Sequence, residues 1–187
     1  MGGQGILIAG LLIFVGVHLL PALGVRAAIV ARLDENRFKA VFAIVALVGL
    51  GLVIYGKADA AFVHLWSPPV WGRHVAWLMM LPALFLIIAA NMPGNVKRFT
   101  PHPMMWAVVI WAISHLLANG DLASLLLFGA MGLFGVIHIV SANMRGASVQ
   151  TMPVSAASDL KILAIAVVSY VLLAFAHPYL FRVPAFV

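Results

Sequence analysis

Six apolar stretches dominate this chain, running over Gly5–Leu23, Ala40–Gly56, Gly72–Met92, Met104–Ala118, Leu122–Ser141 and Leu160–Phe181. A helix needs about 20 such residues to cross the hydrocarbon core of a bilayer, where every backbone polar group must be bonded within the segment. The apolar character is continuous rather than alternating, which argues for helices and against strands. The sequence therefore predicts an all-α, polytopic integral membrane protein: one domain over residues 1–187, a bundle of about six transmembrane helices. Only 9% of the residues are charged against 65% hydrophobic, whereas a soluble domain carries about a quarter charged residues. Met1 to Gln4 holds no positive charge and no small-x-small cleavage pattern precedes Arg26, so the first stretch reads as a retained span rather than a cleaved signal.

The net charge of +6 comes from basic residues scattered between apolar runs. That pattern speaks for membrane topology and contact with anionic lipid, and against nucleic acid. Connections one, three and five hold Arg26, Arg32, Arg37, Lys39, Lys97, Arg98, Arg145 and Lys161; the opposite side holds Lys57, Arg73 and Arg182. Cytoplasmic connections carry the excess of Lys and Arg, so both termini are expected outside. Trp66, Trp71 and Tyr179 then fall at the outer interface. The fourth connection, Asn119-Gly120-Asp121, reads as a helical hairpin, with positive φ at Asn119-Gly120 and Asp121 capping the next helix. Gly129, Gly132 and Gly135 thin the fifth apolar helix for close packing.

Cysteine is absent, which removes disulfides, thiolate ligands and cysteine nucleophiles. Asp, Glu, Lys and Arg are essentially missing from the spans, yet His18, His74, His115, His138 and His177 fall in them. Ionisable groups at membrane depth mark functional sites by default; the bland alternative is a neutral ring bonded to a carbonyl one turn away. Zinc or copper lacks carboxylate or thiolate ligands at helical spacing here. Haem needs one or two imidazoles, an apolar slot and basic groups near its propionates, and suits this composition better.

Gly16-Val17-His18-Leu19-Leu20-Pro21, the run Arg26 to Phe38, Trp71-Gly72-Arg73-His74, His102-Pro103 and Trp111 to Asp121, continuing through Ser124 to Gly129, resemble the NnrU family of bacterial membrane proteins over nearly the whole chain. A more distant likeness is to the haem-dependent zeta-carotene isomerase of plants and cyanobacteria, which shares the histidines at His18, His74 and His115 and the pattern Ala176-His177-Pro178. The resemblance implies haem b as cofactor and His115 and His18 as iron ligands; helix depth offers His74 as alternate, and Arg26 and Arg73 are the basic groups expected near the propionates. It also implies a bacterial inner membrane and a link to nitrite and nitric oxide reduction. The isomerase carries a cysteine one turn before its second ligand; here that position is Ala112. Two further functions follow from these features: a haem-dependent cis/trans isomerase acting on a polyene, and a cofactor-free transporter or structural subunit.

Depth and resemblance disagree about the ligands. His18 lies near the inner end of its helix and His115 near the outer end of its own, a separation of roughly 10–15 Å. Two axial nitrogens on one iron must be about 4 Å apart. By depth, His18 pairs with His138, and His115 with His74 or His177.

Overall fold

The computed structural model describes residues 2–181. Among them the chain is helical throughout: α1 (Gly3–Leu19), α2 (Arg26–Leu33), α3 (Glu35–Asp59), α4 (Gly72–Asn91), α5 (Pro103–Ala118), α6 (Leu122–Met144) and α7 (Ala156–Phe181), with a 3-10 turn at Asn95–Arg98. Four of these, α3, α4, α6 and α7, are long and apolar enough to cross a bilayer. The apolar helices α1 and α5 have 17 and 16 residues, about 24–26 Å at the usual rise. They fall short of a span of about 30 Å. Arg182, counted above on the outer side, lies outside the described residues.

The main helix contacts run in a row, α3–α1–α6–α5–α4–α7. The six apolar helices α1, α3, α4, α5, α6 and α7 alternate in direction along the chain. Connections two and four meet at one end, where Leu65 N–H donates to Gly120 O at 2.8 Å and Leu122 N–H to Val63 O at 2.9 Å. Connections one, three and five meet at the other. There Gln150 N–H donates to Lys97 O, Asn95 bonds Asp159 and Val154, and Ser141 donates to Ala22 O. The eight basic residues of the odd connections thus share one end of the molecule.

The tightest packing joins α1 to α3. On α1, Gly3 faces Asp59 and Ala60 and Gly10 faces Gly49 and Val53; on α3, Gly49 faces Phe14 and Gly56 faces Leu7. A Cβ on any of the four would press into the facing backbone. Seven residues separate each pair, so both glycines share one helix face. Without a hydrophobic driving force in lipid, such backbone approach supplies the dispersion contacts that hold helices together. On α6, Gly132 faces Ala112 and Gly135 faces Val109 of α5, as close packing requires, while a Cβ on Gly129 would meet only the tip of Leu125 at ordinary distance.

Several local features depart from the sequence reading. The first apolar helix stops at Leu19, one residue before the Leu20-Pro21 step, and the chain turns through Gly24 at φ 73°. The first connection then folds an extra helix, α2, and Asp34 at φ 64° caps α3 by accepting from Asn36 N–H and Arg37 N–H. In the Asn119-Gly120-Asp121 hairpin the expected positive φ is absent: among the described residues only Asp34, Gly24 and Gly146 adopt it. Glycine at 120 serves a different need, because the Trp66 carbonyl lies where a Cβ would stand. Asp121 caps α6 as expected, accepting from Ser124 N–H at 3.0 Å.

Candidate functional site: histidines at two depths

Connections one, three and five enclose a cleft of about 830 Å³ at the basic end, within the usual range for ligand sites. His18, His102 and His138 line it with Phe42, Phe134 and Lys97. His18 closes the last turn of α1, where its Nδ1–H donates to the Phe14 carbonyl at 2.6 Å. That bond places the proton of the neutral ring on Nδ1, the arrangement in which Nε2 can serve as a metal ligand. Phe14, Phe42 and Phe134 surround the ring at centroid distances of 4.3, 5.0 and 6.1 Å.

His138 stands one turn beyond Phe134 on α6, its ring 6.0 Å from that phenyl. Its Nδ1 is buried without a hydrogen-bond partner, the only such side-chain atom among the described residues. The titratable and charged groups facing it are His102, Arg145 and His18. His102 is tied down: its ring nitrogen Nε2 donates to Asn143 Oδ1 at 2.7 Å.

His115 occupies another level. Its Nδ1–H donates to the Trp111 carbonyl at 2.8 Å, and its ring stacks on Phe128 at 4.6 Å. His177 faces it from α7. Phe128 and Phe134, the α6 neighbours of His115 and His18, are six residues apart, about 9 Å along the axis. The structure therefore brings His18 together with His138, and His115 with His177, while His18 and His115 sit against different turns of α6. His74 is exposed beside Trp77, 5.2 Å ring to ring, next to exposed Arg73. Arg26 pairs with Glu35 at 2.6 Å and lies over Phe38 at 5.2 Å, so its guanidinium is engaged outside the cleft. Ala112 is buried against Gly132 at the α5–α6 contact.

Sequence reasoning did not bring out Lys97 or the buried His102. A usable signal was nevertheless present: Phe14 and His18, Phe134 and His138, and Trp111 and His115 are each four residues apart. An aromatic residue one turn before a histidine supplies both a ring to pack on and a backbone carbonyl to fix its Nδ1 proton. Among the described residues no group of three His, Asp or Glu is arranged to hold a bare metal ion.

At the even-connection end, Asp121 forms a buried polar cluster. Lys57 Nζ donates to Asp121 Oδ1 at 3.1 Å and to Ser124 Oγ at 2.9 Å, and Ser124 Oγ–H donates to Asp121 Oδ2 at 2.5 Å. Burial alone raises the Asp121 carboxyl, but the Ser124 hydroxyl and amide and the Lys57 ammonium outweigh it and hold the group below the usual carboxylate range. These bonds clamp α3 to the start of α6.

An all-helical, multi-pass membrane protein with inward-facing imidazoles and a basic end is the class these features define. The family model described as NnrU protein matches residues 6–185, and the chain belongs to that family. Neither a curated protein nor a solved structure matches it.

Proposed function

We propose that this chain is a multi-pass haem b-binding protein of a bacterial inner membrane, with both termini outside, serving nitrogen-oxide or redox metabolism. The observation that carries the reading is the cleft at the basic end, lined by His18, whose Nδ1 is bonded to the Phe14 carbonyl. The residues fit a haem: phenyl rings at Phe42 and Phe134 suit a flat apolar macrocycle, His18 suits its iron, and Lys97 suits a propionate. When bound, haem supplies one-electron chemistry. The chain's part is to fix the imidazole tautomer through Phe14, exclude water with the phenyl rings, and balance carboxylate charge at the membrane surface. Denitrification enters through the family resemblance, and orientation through the eight basic residues gathered at one end.

The test is a pyridine haemochrome assay on detergent-purified protein from haem-supplemented cells. About one b-type haem per chain is the expected result. A folded, monodisperse protein that stays colourless after haem supplementation overturns the reading.

A further inference from the structure

We propose that His138 is the second axial ligand at the His18 cleft, giving one site with two imidazoles contributed by α1 and α6. This rests on the haem reading above and departs from the pair that family resemblance implies, His18 with His115.

Three observations carry it. His18 and His138 line the same cleft and flank the same phenyl ring, Phe134, at 6.1 and 6.0 Å. His138 Nδ1 is buried without a partner, and an imidazole nitrogen left so carries the full desolvation cost unless something else binds it. His138 also lines the cleft, and with Nδ1 unbonded no hydrogen bond ties that nitrogen to the helix. His115, by contrast, is stacked on Phe128 some 9 Å away along α6. The third imidazole of the cleft, His102, is held by its bond to Asn143, whereas His18 and His138 are the two that flank Phe134. Lys97, which lines the same cleft, is the cation for a propionate.

The experiment compares absorption and electron paramagnetic resonance spectra of haem-loaded wild type, His138→Ala and His115→Ala. The wild type is expected to be six-coordinate and low-spin, with resonances of bis-imidazole iron. His138→Ala is expected to lose that signal, become high-spin or haem-depleted, and regain the low-spin spectrum when free imidazole is added. His115→Ala is expected to keep it. Should His138→Ala keep the bis-imidazole spectrum while His115→Ala loses it, the assignment is overturned and the haem reading stands. A His138→Gln variant, which retains volume and polarity, guards against misfolding: a high-spin spectrum in this monodisperse variant supports ligation, and an unchanged low-spin one refutes it. A colourless wild type refutes the parent reading itself.

Discussion

Replacing Gly10 by alanine tests whether backbone contact between α1 and α3 holds the first half of the molecule together. A Cβ at Gly10 would lie 2.6 Å from Val53 N and 2.9 Å from Gly49 O, where ordinary contact begins at 3.4 Å. The helices must therefore separate by 0.5 to 0.8 Å, from 3.4 less 2.9 and 3.4 less 2.6. Both obstructing groups are backbone and cannot rotate away. Overpacking of this kind costs about 1–3 kcal/mol. Gly16, on the same helix, has nothing within 4 Å of its would-be Cβ, so Gly16→Ala gains about 0.5–1 kcal/mol from lost backbone freedom. At about 2–4 °C per kcal/mol for a chain of this size, Gly10→Ala lowers the midpoint by roughly 2–12 °C and Gly16→Ala raises it slightly. Thermal unfolding in detergent, followed by tryptophan fluorescence, reads the difference. Equal shifts for the two variants would refute the claim that these glycines are there for close approach.

Three further outcomes follow. Because the folded Asp121 carboxyl is held below its ordinary value, its contribution is fully present above about pH 4 and is lost as pH falls through the folded value; Asp121→Asn removes that acid-dependent loss in a pH series of unfolding midpoints. Asn95→Ala deletes its side-chain bonds to Val154 and Asp159, costs about 1–3 kcal/mol, and makes residues 147–155 the first site of limited proteolysis. With no native cysteine, Ser67→Cys and Ser155→Cys report topology cleanly: an impermeant maleimide on intact cells labels the first and spares the second, and the reverse pattern inverts the proposed orientation.

Long apolar runs made the helical membrane architecture legible, since bilayer thickness and backbone hydrogen bonding leave a continuous apolar segment little choice. Helix ends were less so. Leu20 to Leu23 is mostly apolar and reads as span, but Pro21 lacks an N–H and the chain leaves the helix there. Gly120 reads as a turn residue from its neighbours Asn119 and Asp121. Its actual constraint, the Trp66 carbonyl, comes from a connection more than fifty residues away and leaves no local trace. The α1–α3 glycines were similarly hidden, because close approach is a property of the partner helix. Among the histidines, depth along each helix sets His18 level with His138, and both line one cleft. Lys97 and His102 entered the site only through the folding of three separate connections onto one end.

The central claim, haem held at His18, is tested most directly by a dithionite-reduced minus oxidised difference spectrum of membranes from cells overproducing the chain, compared with His18→Ala at equal protein abundance. The account predicts a b-type α-band that scales with the protein and falls at least about tenfold in the variant, the equivalent of about 1.4 kcal/mol in haem affinity. An α-band of equal intensity in both, or none above the background of cells lacking the chain, would contradict it.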